Sequence, residues 1–144
     1  MPYSRILITV DSSENSLPVA KRGIELAHAL HAKVALLFVV DKAKAMGNVE
    51  ANILPQEALI LLKKEAQQTL DQLADMYDGK DLVKFMPEGN PAEDIMKTAN
   101  TWEADLIIVG THGKKGIAKL LSSNVSDYVL HHAKVPVMLI PPMT

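Results

Sequence analysis

The chain has 144 residues, 48% of them hydrophobic and 22% charged, which is typical of one globular domain, 1–144, with a sizeable core. Its net charge of −2 argues against nucleic acid or an acidic membrane surface as partner, and the absence of cysteine excludes disulfides and thiolate chemistry. With no apolar stretch near the roughly 20 residues of a membrane span and no signal-peptide pattern, we expect a cytoplasmic protein.

The first third of the chain alternates between apolar runs and a helical pattern. Arg5–Val10 and Lys33–Val40 are solid apolar runs, which predict two strands buried on both faces. Between them a helix is expected, with Ser13 or Ser16 as its N-cap and Pro18 in its first turn. Its apolar residues recur at spacings of three and four, which predicts one buried stripe: Leu17, Ala20, Ile24, Ala27 and Leu30.

A segment without a clear period runs from Asp41 to Leu54, longer than the usual loop between a strand and a helix, and such loops are often lids. Pro55 then opens a long second helix, and Gly79 stands where a helix is expected to end. The apolar stripe of this helix is regular: Leu59, Leu62, Ala66, Leu70, Leu73 and Tyr77.

The next signals predict a short third strand, Asp81–Met86, and a third helix. Asn90 as N-cap, Pro91 at the first helical position and Glu93 three residues after the cap are a typical helix start. A fourth strand at 106–109, a helix to about residue 132 and a fifth strand, Val135–Ile140, complete the chain.

This order predicts an α/β fold, a single-domain, five-stranded, parallel, doubly wound sheet with four helices. In such sheets a ligand binds beyond the carboxyl ends of the strands, where the strand order reverses. Asp11 and Asp41 follow the first two strands and Gly110 follows the fourth. If the first and fourth strands are neighbours, these three residues face one crevice.

The turn after the fourth strand is rich in glycine, with Gly110, Gly113 and Gly116. Glycines let a backbone approach a ligand closely, and the N–H groups at a helix start attract anions, so the turn is a candidate phosphate site. The positive charges near it are those of Lys114, Lys115 and Lys119. An ordinary turn that needs glycine is the alternative, because neither the dinucleotide pattern GxGxxG nor the P-loop pattern GxxxxGK[ST] is present.

Several segments together resemble the universal stress protein family over nearly the whole chain. They are ILITVDSSENS, LLFVVD, EGNPAEDIMKTA, ADLIIVGTHGKKG and VPVMLIP. The resemblance implies a Rossmann-like fold, similar to the adenine nucleotide alpha hydrolases, with strand order 3-2-1-4-5. It also implies a homodimer formed through the last strand, Val135–Ile140.

The ATP-binding branch of that family carries the pattern Gly-x2-Gly-x9-Gly-Ser/Thr. Gly110 and Gly113 match its first two glycines, whereas Ser123 and Asn124 stand at its last two positions. Asp11 matches the acidic residue that contacts adenine and ribose. The resemblance therefore implies a nucleotide site made of Thr9, Val10, Asp11, Val39, Val109, Gly110, His112, Gly113, Ser123, Asn124 and Val125.

The departure at Ser123–Asn124 puts affinity for a triphosphate in doubt. A serine in place of glycine adds a side chain near a phosphate oxygen, and it costs on the order of 1 kcal/mol or more if the position requires a positive φ. Serine and asparagine are, however, good N-cap residues with polar atoms of their own.

The favoured reading is a dimeric regulatory stress-response protein that binds ATP, or the related ADP or AMP, with Mg²⁺ carried in by the nucleotide. Occupancy would change residues 41–54 and so the contacts with a regulatory protein of unknown identity. The alternatives are a dimer that binds no nucleotide and acts through protein contacts, and a slow ATPase. The sequence shows no nucleophile paired with a base, and no metal-ligand spacing among its 5 histidines.

Overall fold

The computed structural model describes residues 3–45, 52–77, 82–110 and 117–141, with the backbone alone for residues 117–124. The described strands are β1 Arg5–Thr9, β2 Lys33–Leu37, β3 Val40–Asp41, β4 Val83–Phe85, β5 Glu88–Gly89, β6 Leu106–Gly110 and β7 Val137–Ile140. The described α-helices are α1 Ser16–Leu30, α2 Pro55–Ala74, α3 Pro91–Trp102 and α4 Ile117–His132, and a short 3₁₀ helix spans Lys42–Ala45.

Five of these strands form one parallel sheet in the order β4-β2-β1-β6-β7. β1, β2, β4, β6 and β7 correspond to the first to fifth predicted strands, so this is the predicted order 3-2-1-4-5. β3 and β5 form a separate pair with each other. β1 lies at the centre, and Ile6 is aligned with Val34 of β2 on one side and with Leu106 of β6 on the other. β2 and β4 follow β1 on one side of the sheet, and β6 and β7 lie on its other side, so the strand order reverses between β1 and β6. The predicted α/β fold is confirmed.

Helices cover both faces of the sheet. Ile6 and Ile8 of β1 belong to a core cluster that includes residues of α1 and α2. Leu7 belongs to a second cluster with residues of β6, α3 and α4. All three side chains have no exposed surface. Burial on both faces is the reason that the central strands read as unbroken apolar runs.

The predicted second strand, Lys33–Val40, is broken in the structure. β2 ends at Leu37, and the chain resumes at Val40 as β3, paired with β5. Beyond this point β1 no longer provides a partner, whereas the Phe38 N–H still donates to the Phe85 carbonyl at 3.0 Å and the Val40 N–H to the Pro87 carbonyl at 2.8 Å. The break follows from this change of hydrogen-bond partner, which the apolar sequence does not reveal.

Two other strands are shorter than predicted. β4 covers only Val83–Phe85 of the expected Asp81–Met86, and Asp81 lies outside the described residues. β7 begins at Val137 because Pro136, which has no N–H to give to a ladder, precedes it. The Pro136 carbonyl still accepts a hydrogen bond from the Ile107 N–H at 3.1 Å.

The helix starts follow the sequence signals in one case and not in another. Asn90 caps α3 as predicted, since its Oδ1 accepts a hydrogen bond from the Glu93 N–H at 3.1 Å. The cap of α1 was predicted wrongly, because Asn15 occupies the N-cap position and makes no side-chain cap bond, while Ser16 is the first helical residue. Leu17, expected in the buried stripe, is 55% exposed. The buried positions of α1 are Ser16, Val19, Ala20, Gly23 and Ala27.

A carboxylate ties the sheet together at its amino end, away from the ligand edge. Asp105 accepts hydrogen bonds from the Ser4 N–H at 2.8 Å, the Ser4 hydroxyl at 2.9 Å and the Arg5 N–H at 3.0 Å. Partial burial acts to raise the pKa of Asp105, but these hydrogen bonds outweigh it and hold the pKa below its ordinary value. The side chain therefore contributes more to stability as a carboxylate than as an acid.

None of the helices in the described ranges combines the length and apolar character needed to cross a membrane.

Candidate functional site

A cavity of about 640 Å³ lies across the carboxyl ends of β1, β2 and β6. Parallel strands place their carboxyl ends, and the amino ends of the helices that follow, at the same edge of a sheet. The walls therefore come from the first turns of α1 and α3, from α2 and from α4, and they combine apolar side chains with a few polar groups. Such a volume and lining are usual for sites that bind small molecules.

Seven of the predicted site residues line this cavity: Thr9, Val10, Asp11, Val39, Val109, Gly110 and Val125. Asp41 lines it as well, so the three residues Asp11, Asp41 and Gly110 do meet at one crevice.

Four other predicted residues are not placed at the cavity. His112 and Gly113, with Lys114 and Lys115, lie outside the described residues. Ser123 and Asn124 fall inside α4, which begins at Ile117, so they do not cap its start. Their side chains, like that of Lys119, lie outside the description.

Asp11 is held firmly where β1 runs out into the cavity. Its carboxylate oxygen Oδ1 accepts a hydrogen bond from the Ser13 N–H at 2.8 Å and lies 3.0 Å from the Ser16 hydroxyl. These two contacts hold the carboxylate in one orientation at the edge of the cavity.

The break between β2 and β3 places backbone without a partner among the described residues at the same cavity. Phe38 and Val40 both donate their N–H groups to the β4–β5 segment, whereas Val39 between them makes no backbone hydrogen bond with another described residue. Val39 is partly exposed and lines the cavity. A backbone N–H and C=O in this situation can serve a planar ligand that carries one acceptor and one donor on the same edge.

Gly110 allows β6 and α1 to approach closely at the cavity wall. A Cβ atom added to Gly110 would lie 2.6 Å from Cγ2 of Val19, closer than real side chains come. Val19 is itself 3% exposed and lines the cavity. A residue with a side chain therefore does not fit at this position unless β6 or α1 shifts, so the cavity wall depends on the glycine.

Two buried polar atoms near Asp11 have no partner in the part of the chain that is described. They are the hydroxyl oxygen of Ser13 and the side-chain nitrogen Nδ2 of Asn15, and both residues line the cavity. A buried polar atom without a hydrogen bond costs about 1–3 kcal/mol, so these two atoms lower the stability of the cavity wall. Neither atom is itself exposed to the cavity.

Sequence reasoning missed several polar residues of the cavity. Ser16, Asn90, Lys44, Glu65 and Tyr128 all line it. Ser16 and Asn90 share one signal, since they lie at the amino ends of α1 and α3, and such ends converge at the ligand edge of a parallel sheet. Glu65 and Tyr128 lie in the second halves of α2 and α4, where the sequence offers no comparable signal. Within the described ranges, histidine, aspartate and glutamate form no group of three or more that could hold a metal ion.

The sequence profile of the universal stress protein family matches residues 2–141. The chain belongs to this family. It is 36% identical to universal stress protein MJ0531 of Methanocaldococcus jannaschii, over 96% of this chain and 82% of that protein. The predicted family resemblance is thereby confirmed.

Solved structures share the fold. The structure of hypothetical protein MJ0577 is 25% identical, with a TM-score of 0.81 over 100% of this chain and 99% of that one. A universal stress protein in complex with cAMP is 22% identical, with a TM-score of 0.69 over 98% of both chains. A universal stress protein from Archaeoglobus fulgidus in complex with dAMP is 19% identical, with a TM-score of 0.62 over 97% of this chain and 99% of that one.

Proposed function

We propose that this protein binds ATP, or the related ADP or AMP, in the cavity at the carboxyl ends of β1, β2 and β6. The observation that carries the proposal is the Asp11 carboxylate, held in a fixed orientation in the same cavity as Val39, whose backbone makes no hydrogen bond with another described residue. An oriented acceptor next to a backbone donor and acceptor suits a nucleoside, which presents ribose hydroxyls and the polar edge of a base.

The cavity lining supports one direction for the nucleotide. The base would lie against Val39 with Thr9 and Val10 nearby, and the ribose would lie against Asp11. The phosphates would extend past Val109 and Gly110 toward the side of the cavity that Val125 and Ser126 of α4 line.

A further observation supports a nucleotide as the ligand. Family relatives of the same fold have been solved in complex with cAMP and with dAMP, both of them adenine nucleotides. Because the described carboxylates form no metal-binding group, Mg²⁺ would be held mainly by the phosphates.

The proposal includes a cytoplasmic homodimer with a regulatory output. β7 lies at the end of the sheet, and Met138 and Leu139 on it are 37% and 39% exposed. An edge strand with exposed apolar side chains readily pairs with another chain. Lys44, on the 3₁₀ helix after β3, lines the cavity, so occupancy would reach segment 41–54 and alter its contact with a regulatory protein.

Isothermal titration with ATP and Mg²⁺ tests the proposal. We expect heat of binding for the native protein and a loss of roughly 10- to 150-fold in affinity for Asp11→Asn, since hydrogen bonds to a charged group contribute about 1.5–3 kcal/mol. Asp71→Asn is the matched control, because Asp71 is exposed on α2 and pairs with Lys84 outside the cavity. Absence of heat up to about 1 mM nucleotide, a binding free energy weaker than about −4 kcal/mol, would remove the proposal.

A dimer that binds no nucleotide is the second candidate, and α4 favours it. Ser123 and Asn124 lie inside this helix, where a backbone N–H bonds to the carbonyl four residues earlier rather than to a phosphate. Sedimentation showing a dimer, together with titration showing no heat, would establish this alternative.

A further inference from the structure

The hydroxyl of Ser16 meets Asp11 at three points. It accepts a hydrogen bond from the Asp11 N–H at 2.8 Å, and it lies 2.7 Å from the Asp11 carbonyl oxygen and 3.0 Å from the carboxylate oxygen Oδ1. Ser16 is 5% exposed, and its own N–H donates to the Ser13 carbonyl at 3.1 Å. The side chain is thus turned back toward the end of β1 and does not cap α1.

These contacts fix the aspartate in two ways. A hydroxyl has one proton, so at any moment Ser16 donates either to the carbonyl or to Oδ1, while it accepts from the Asp11 N–H in both cases. The first arrangement fixes the backbone of Asp11, and the second, with the Ser13 N–H on the same oxygen, fixes the rotamer of the carboxylate. Either way, the aspartate loses the freedom to turn out of the cavity.

We propose that Ser16 is a positioning residue that holds the Asp11 carboxylate ready for the ribose hydroxyls of the nucleotide. This inference rests on the proposed function and deepens it, because it assigns to Ser16 the discrimination between ribose and a sugar without hydroxyls. An acceptor that is already oriented binds its ligand without the entropic cost of ordering a side chain. Removal of the Ser16 hydroxyl therefore weakens ribose recognition while the base and phosphate contacts persist.

A double-mutant cycle with two nucleotides tests the inference. ATP and 2′,3′-dideoxy-ATP, each with Mg²⁺, are titrated into the native protein, Ser16→Ala, Asp11→Ala and the double variant. We expect Ser16→Ala to lose about tenfold in affinity for ATP, equivalent to about 1.4 kcal/mol, and to bind the dideoxy nucleotide as the native protein does. In the Asp11→Ala background, Ser16→Ala should have no further effect, because the residue acts through the aspartate.

Ser4→Ala is the matched control. It removes another hydrogen bond between a serine hydroxyl and an aspartate, the 2.9 Å bond to Asp105 at the opposite end of the sheet. It should leave the ratio of the two affinities unchanged. Should Ser16→Ala fail to fold, Ser16→Thr and Ser16→Val replace it, because they are nearly equal in volume and differ in the hydroxyl. The threonine variant should then discriminate between the nucleotides and the valine variant should not.

The outcomes separate this inference from the function on which it rests. A native protein that binds neither nucleotide overturns both. A native protein that prefers ATP, combined with a Ser16→Ala variant that loses both nucleotides equally, overturns the positioning role alone. The same conclusion follows if the effects of Ser16→Ala and Asp11→Ala on ATP binding simply add.

Discussion

Substituting Gly110 by alanine should strain the wall between β6 and α1. The new Cβ would lie 2.6 Å from Cγ2 of Val19, so one of the two elements must shift. Val19 is buried and β-branched, and such a residue in a helix has essentially one allowed χ1 rotamer, so it cannot turn aside. Overpacking of this kind costs about 1–3 kcal/mol, and the reduced freedom of the unfolded chain offsets about 0.4–1 kcal/mol of it.

The net loss of stability for Gly110→Ala should be about 1–2 kcal/mol, which corresponds to a fall in Tm of roughly 2–8 °C for a domain of this size. Urea unfolding followed by circular dichroism measures this loss, with an unchanged m-value. Val19→Ala alone should cost roughly 2 kcal/mol, from two buried methyl groups and the space they leave.

The double variant Gly110→Ala with Val19→Ala decides whether the contact is the cause. If it is, adding Gly110→Ala to Val19→Ala should cost almost nothing, because the methyl group that meets the new Cβ is gone. Simple additivity of the two losses, or a Gly110→Ala variant within about 0.5 kcal/mol of the native protein, would refute the reasoning.

Three further substitutions test interactions elsewhere in the structure. Asp105→Asn should lower Tm near neutral pH. The difference in Tm between the variant and the native protein should shrink as the pH falls below the ordinary carboxyl pKa of 3.8, because a pKa that is lowered in the folded state gives stability that protonation removes. An equal difference in Tm at pH 7 and pH 2 would contradict this. Asn90→Ala should cost about 1 kcal/mol in urea unfolding, since it removes the cap bond to the Glu93 N–H, and no loss would contradict the capping role. Asn15→Ala should leave stability unchanged or raise it, because Nδ2 is buried without a hydrogen-bond partner among the described residues; a clear fall in Tm on thermal unfolding would contradict this.

The central strands were predictable because a strand that is buried on both faces has an unbroken apolar sequence. Ile6, Leu7 and Ile8 have no exposed surface, and no polar residue interrupts them. The sequence does not change in this way at the end of β2. Phe38 and Val39 are as apolar as the strand before them, and only the position where β1 ends determines that the ladder changes partners there.

Topology made part of the site predictable as well. Asp11, Asp41 and Gly110 follow strands that end at the same edge, so their convergence follows from the strand order. The role of Ser16 was not predictable, because a serine before a helix can cap it or turn back to the preceding strand, and the local sequence permits both. The same ambiguity applies to Ser123, whose sequence position suggested a helix start but which lies inside α4.

A crystal structure of the protein grown with ATP and Mg²⁺ would show whether the nucleotide binds where we propose. We expect electron density for the nucleotide across the carboxyl ends of β1, β2 and β6, with the base at Val39 and the ribose within hydrogen-bond distance of the Asp11 carboxylate. A structure with nucleotide bound elsewhere, or with Asp11 turned away from a cavity that holds no nucleotide, would contradict it.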